Sequence, residues 1–215
     1  MSDALFWSNV GIDVQTALGS QITITAISKA NPAVVSYTGT DPANGDYLIL
    51  SVQGMYQVNE RIFRVANVST GSNTLELEGE DSTTYDTFTS GSFKGITFGA
   101  SFQTVQNVNV SGGEPEFADV TTIHDNVRKR APTVVSPLSF GMDNLFDLTD
   151  AGFVAMNVAY KTKSQLAVRL RFAGGQKMLF NGYASAAGVP TGQAQGVVQT
   201  KVSIEAQNIP TFYET

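Results

Sequence analysis

The chain has 215 residues and no cysteine, and 15% of its residues are charged, well under the ~25% of an ordinary soluble domain. Disulfides and thiolate chemistry are excluded, and one histidine without a thiol leaves nothing to build a structural zinc site. The net charge of −6 argues against a general nucleic-acid binder, and so sparse a charge set suits a subunit that hides surface in an assembly or covers it with Ser, Thr, Asn and Gln.

The opening residues, MSDALFWSNVG, lack a basic region before an apolar run, so no secretory signal is expected. No apolar run reaches the ~18 residues of a membrane span. Folding in a cytoplasm is the expectation, and the sequons at Asn67 and Asn109 then carry no weight. QITITAIS alternates and predicts a strand with Ile22 and Ile24 on one face. Asn44-Gly45 predicts a tight hairpin turn before the apolar strand Tyr47–Val52. ERIFRVANVS and NTLELEG predict two more strands, with Gly71 as the flexible position of the turn between them. About five short strands therefore occupy residues 22–93, the spacing of a small β-barrel or sandwich. That stretch holds eight acids and three bases, against eleven acids and ten bases elsewhere, so an acidic module is set into a near-neutral body.

The body resumes at FKGITFGASFQTVQNVNVSGG and runs on through SPLSFGMDNLFDLTD. One helix is predicted near 149–161, capped by Asp147 or Thr149, with Phe153, Met156 and Tyr160 as its apolar stripe. Gly152, Val154 and Val158 count against helix. LAVRLRFAGGQKMLFNGY predicts a hairpin reversing at Gly174-Gly175, and VVQTKVSIEAQ predicts a final strand with Val198, Thr200, Val202, Ile204 and Ala206 on its inner face.

No stretch carries an active site. His124 and Asp125 are neighbours in sequence, which in a strand sends them to opposite faces, and no Gly-x-Ser-x-Gly turn accompanies them. The run Arg128, Lys129, Arg130 stands alone in an acidic chain and reads as a solvated face or a protein contact. Glu76, Glu78, Glu80 and Asp81, or Asp41, Asn44 and Asp46, could offer oxygen to calcium, but neither set follows an EF-hand loop, so both read as solvated turns. Glu114, Glu116 and Asp119 share one short loop, which gives no glycosidase cleft. No catalytic residue, metal or cofactor is expected.

The order ALFWSNVG, QTVQNVNVSGGEPEFADVTT, HDNVRKRAPTVVSPLSF, TDAGFVAMNVAYKTK, LAVRLRFAGGQKMLFNGYASAAG and VSIEAQNIPTF resembles the major tail tube proteins of long non-contractile-tailed bacteriophages (siphophages), over about residues 1–20 and 94–215. Residues 22–93, with NGDYLILSV, VNERIFRVANV and DSTTYDTFTSG, resemble a small β module common in phage structural proteins. The resemblance implies a mainly β fold: a tail-tube-type β-sandwich or barrel with one α-helix, plus an inserted small β-barrel. It divides the chain into 1–21 (arm and first strand), 22–93 (inserted module, decorating the outer wall) and 94–215 (tube body). It implies a structural subunit of stacked hexameric rings around a channel for double-stranded DNA, assembled in the host cytoplasm and carried in the virion tail, without membrane binding. Its partners would be further copies of itself, the tape measure protein, the tail terminator and baseplate proteins. Arg128, Lys129, Arg130, Val134 and Phe140 would then contact a neighbouring subunit, and Glu114, Glu116 and Asp119 would face or border the lumen. Two other readings stand beside it: a virion module that binds carbohydrate or a cell surface, stacking sugars on Tyr47, Tyr56 and Tyr85, and another tail ring protein such as a terminator or baseplate hub.

Overall fold

The structure is a computed structural model that describes residues 9–214. In chain order the strands are β1 (Gly11–Leu18), β2 (Ile22–Ile27), β3 (Ala33–Thr38), β4 (Tyr47–Gln53), β5 (Ile62–Ser69), β6 (Thr74–Leu77), β7 (Ser90–Phe102) and β8 (Val105–Ser111). They are followed by β9 (Pro115–Asp119), β10 (Arg130–Val135), β11 (Ser139–Leu145), helix α1 (Ala151–Thr162), β12 (Gln165–Arg171), β13 (Lys177–Ser185), β14 (Gln199–Ala206) and β15 (Thr211–Tyr213). The chain is mainly β with a single α-helix among the described residues. The strand expected from ALFWSNVG lies, for its first five residues, outside the described part.

Six strands close on themselves. Their order is β2-β3-β6-β5-β4-β7, and β2 pairs back onto β7 through Ile22 with Phe93, Thr23 with Ser92 and Ile24 with Gly91. Alternation makes the barrel interior: Val35 and Tyr37, Leu48, Leu50 and Val52, Phe63 and Val65, Leu75 and Leu77 all turn inward. Gly91 fits where the wall closes, since a Cβ there would stand 2.8 Å from the Ser51 carbonyl oxygen. Buried Arg61 stacks over Phe63 and grips Glu80 with two hydrogen bonds, of 2.5 and 3.1 Å, while the Tyr85 hydroxyl donates to the same carboxylate.

Two local expectations change. The Asn44-Gly45 turn exists, with Gly45 at φ +90°, but β3 and β4 do not pair across it. Asn44 Oδ1 accepts from the Val68 amide and Gly45 N donates to Val65 O, so the turn docks on β5. In the β5–β6 turn the positive φ falls at Asn73 (+50°), and Gly71 is not among the positive-φ residues.

The second half of β7 starts the body sheet, ordered β7-β1-β12-β13-β14-β11-β8, with β15 added on β13. Thus β7 serves both cores: Phe93 belongs to the barrel, Ala100 and Phe102 to the body. The sheet curls, because one core takes Ile12, Val14, Leu166 and Val168 from its first strands and Phe140, Met142, Val202 and Ile204 from its last. The β12–β13 hairpin reverses at Gly174-Gly175 as expected, with Gly175 at φ +93°. In β14, Thr200, Val202, Ile204 and Ala206 are buried while Lys201 and Glu205 are exposed.

Helix α1 is capped by Asp150 instead of Asp147 or Thr149. Its Oδ1 accepts from the Phe153 amide (3.1 Å), and its Oδ2 accepts from the Gln103 amide and the Thr104 hydroxyl, which ties the helix to the end of β7. Asp147 holds the preceding turn, accepting from the amide and hydroxyl of Thr149. The buried line is Gly152, Phe153, Met156 and Ala159, whereas Tyr160 is 43% exposed. Gly152 lowers helix propensity for a packing reason: a Cβ would lie 2.5 Å from the Phe102 ring and 2.8 Å from its backbone nitrogen. Gly152→Ala should therefore lose about 1–2 kcal/mol, because overpacking against backbone outweighs the ~1 kcal/mol propensity gain. A fall in urea midpoint with unchanged helical circular dichroism checks this.

The barrel is fixed to the outer face of β12 and β13. Ile62, Ala167, Leu179 and Tyr213 are buried together, with Tyr47, Ile49, Ile96 and Phe98 packed around them. The Tyr213 hydroxyl accepts from the Arg64 amide (2.7 Å), Asn208 Nδ2 donates to Asn59 O (2.6 Å), and Gln165 Nε2 donates to Glu60 Oε1 (3.1 Å).

Candidate assembly surfaces

Strands β9 and β10 form a separate two-stranded sheet, in register Arg130 with Asp119, Ala131 with Ala118 and Pro132 with Phe117. Its base turns through Gly112 (φ +83°) and Gly113 (φ +80°), and a Cβ on Gly112 would lie 2.0 Å from the Pro137 carbonyl oxygen. At its tip, Asp125 accepts from the amide and hydroxyl of Thr122 and from Lys129 Nζ. Every residue of β9 is exposed. A lone hairpin is marginal in water, yet this one presents Phe117, Val120, Ile123 and Val127 to solvent, with Ile123 96% exposed. Clustered apolar exposure of this kind marks a contact surface.

A second unfinished feature is β8. It pairs with β11 on one side, and no strand among the described residues pairs with its other edge. An open row of amides and carbonyls is a template for another strand.

The residues singled out from sequence distribute unevenly over these surfaces. Arg128 Nε lies 3.0 Å from Asp119 Oδ2, and Lys129 pairs with Asp125, so two of the three bases already have partners on their own hairpin. Among the described residues Arg130 has no ion pair, and it is exposed beside Val134 on β10. Phe140 is a correction: 3% exposed, it stacks on Phe180 with ring centroids 4.0 Å apart inside the body core, so its side chain cannot reach a neighbouring subunit. Glu114 leads into β9, Glu116 lies on it and Asp119 ends it, all exposed.

His124 sits exposed at the tip, and Asp125 is committed to Thr122 and Lys129, so the two make no dyad. The contact to Lys129, then those to Thr122, hold the Asp125 carboxyl below its usual range. Hydrogen bonds from Thr121, then Arg128, do the same for Asp119. The acidic turns are similarly engaged, Glu76 with Asn67, Glu78 with Arg64 and Glu80 with Arg61. The three tyrosines of the sugar-stacking reading differ in their partners: Tyr47 packs edge-on to Phe98 under Arg169, the Tyr85 hydroxyl donates to Glu80, and Tyr56 is exposed.

Of the exposed apolar residues of the hairpin, Val134 was singled out from sequence, and Phe117, Val120, Ile123 and Val127 were not. Phe117, Val120, Ile123 and Val127 are spaced by three, three and four residues, which imitates a helical stripe, whereas the segment belongs to a β-hairpin.

A family model described as phage tail tube protein, TTP, matches residues 53–215. The chain belongs to the phage tail tube proteins. The match enters at the end of β4, so β5, β6 and β7 of the barrel fall within it together with the whole body from β8 onward. No curated protein matches the chain. Membership makes this tail tube protein a structural component of the phage tail that assembles with its own copies into a tube. No described helix is long and apolar enough to cross a membrane.

Proposed function

We propose that the chain forms hexameric rings that stack into a hollow tail tube, through which double-stranded DNA passes at ejection. The observation that carries this reading is the β9–β10 hairpin: its apolar residues have no core of their own to cover, and a second copy would supply one. The open edge of β8 supports lateral closure, since joining strands between copies around a ring removes every exposed edge. In this reading Arg130 and Val134 contact the next subunit or ring, with Arg128 and Lys129 bracing the hairpin that carries them. Glu114, Glu116 and Asp119, which follow β8 directly, border the rim of the bore. Residues 22–93 act as an inserted module on the outer wall, between the arm and first strand (1–21) and the tube body (94–215). Assembly takes place in the host cytoplasm, and the tape measure protein, the terminator and baseplate proteins meet the tube along its bore and at its ends.

Electron microscopy of the purified protein tests the reading. Long hollow tubes with six-fold end views are expected. Isolated rings would favour a terminator or hub, and monomers that bind glycans would favour the surface-binding module.

A further inference from the structure

The outer faces of the body sheet differ in a way that bears on what moves past them. The side built by β1, β12 and β13 carries Arg169, Arg171 and Lys177 and is covered in part by the barrel. Among the described residues, none covers the side built by β14, β11 and β8. Register fixes what that uncovered face displays. One row across the strands reads Ser185, Ser203, Gly141, Asn109, and the next reads Lys201, Asp143, Asn107. On the other side of the first row, Tyr183, Glu205, Ser139 and Ser111 lie abreast. A shallow depression of about 270 Å³ lies over the first two rows. The only base in these rows, Lys201, stands 3.8 Å from Asp143, and Asn107 Nδ2 donates to the same carboxylate at 3.4 Å.

We infer that this face lines the bore, and that the bore is a near-neutral wall of hydroxyl and amide groups instead of an acidic one. The inference rests on the tube reading and adds the identity and charge of its lining. Because both sides of the curled sheet share one core, their outer faces look away from each other, and the barrel-bearing side then falls on the outside of the tube. A passing polyanion is held by bases that displace its counterions; an acidic wall would repel it and resist entry. Ser and Asn side chains do neither and exchange their hydrogen bonds with water. Cancelling Lys201 against Asp143 leaves Glu205 as the one uncompensated charge in these rows.

The absence of cysteine allows a direct test. Ser203→Cys and, as an outside control, Tyr56→Cys are assembled into tubes and treated with a small maleimide or with one carried on a bulky polymer. Ser203→Cys should react with the small reagent and, with the bulky one, only at tube ends; Tyr56→Cys should react with both. Equal bulky labelling at both positions, in tubes that form normally, overturns the inference and leaves the tube reading standing. Failure of the unsubstituted protein to form tubes overturns both. The charge is tested separately with a short DNA duplex: unsubstituted tubes should retain almost none at low salt. Tubes of Ser203→Lys should retain at least ~10-fold more, in a salt-sensitive way. Retention by the unsubstituted tubes, or none by Ser203→Lys tubes, would sink the near-neutral wall.

Discussion

Asp13→Ala should destabilise the folded subunit by about 3 kcal/mol at neutral pH, the cost of removing one partner from a buried ion pair. Asp13 is 3% exposed in the middle of β1. Its carboxylate accepts from Arg169 at 2.7 and 2.9 Å, from Arg171 at 2.5 and 2.9 Å, and from the Ser101 hydroxyl at 2.7 Å. Arg169 is directly opposite in the ladder, and Arg171 reaches over Gly11, where a Cβ would lie 2.9 Å from its guanidinium. Arg169 also lies over the rings of Phe98 (4.6 Å) and Tyr47 (5.3 Å), so the pair locks the barrel to the body. Without the carboxylate, two guanidinium groups face each other beside Lys177, whose ammonium is already disfavoured by burial and then by Arg64 and Arg169. The half-exposed side chain of Arg171 can turn to water, which keeps the loss below that of a fully buried triad. Burial pushes the Asp13 carboxyl up, but the hydrogen bonds from Arg171, Ser101 and Arg169 together bring it below its usual value. A depressed carboxyl stabilises the fold above the unfolded value near ~4 and loses that contribution as pH falls through the folded value. The gap between the two proteins' urea midpoints should thus be full at neutral pH and narrow below pH ~4. A constant gap down to strong acid would show that the loss is one of packing and not of charge.

None of this was legible in GIDVQTAL, where Asp13 looks like one polar residue in an alternating strand. Its importance comes from register, since β12, which places Arg169 and Arg171 around it, lies about 150 residues further on. The barrel is the opposite case. Its strands follow from alternation that needs no distant partner, and they were readable as a group. Their pairing was not: Asn44-Gly45 is a sound local turn signal, but β4 finds its neighbours in β5 and β7, and the turn is captured by β5 through Asn44. Helix α1 shows the same tension. Gly152 argues against a helix on propensity, and only the approach of Phe102 explains why a glycine stands there.

The candidate contact surface was half legible. The bases drew attention to 128–130, but charge alone could not show that Arg128 and Lys129 brace their own hairpin. Phe140 could have been separated from that surface by period alone, since Ser139, Phe140, Gly141 and Met142 alternate and Phe140 shares the inward face with Met142. The polar sheet face was visible in one strand alone. Alternation in β14 puts Gln199, Lys201, Ser203 and Glu205 on one side, but Asn109, Gly141 and Ser185 come from three other strands, and only register brings them beside it.

The combined substitution Ile123→Asp, Val127→Asp should abolish tube formation while leaving the monomer's melting curve within ~0.5 kcal/mol of the parent, as expected for changes at exposed positions. Ile123 and Val127 are 96% and 74% exposed, so they contribute almost nothing to the isolated fold. If a neighbour covers them, each contributes about 1.5–3 kcal/mol of burial. A carboxylate in the same dry contact adds a desolvation penalty to that loss. Repetition around a ring multiplies the effect, which is why two residues should be decisive. Arg130→Glu should act differently: a single charge at a contact edge slows association and makes it salt-dependent without preventing it. Arg128 is a poorer probe, because reversing it also breaks its pair with Asp119 and disturbs the hairpin itself. Sedimentation and electron microscopy over a range of salt separate the two kinds of effect. Tubes that form at the parent rate from the double variant would mean that the exposed side chains of the hairpin face water in the assembly, and that lateral closure through β8 supplies the association energy.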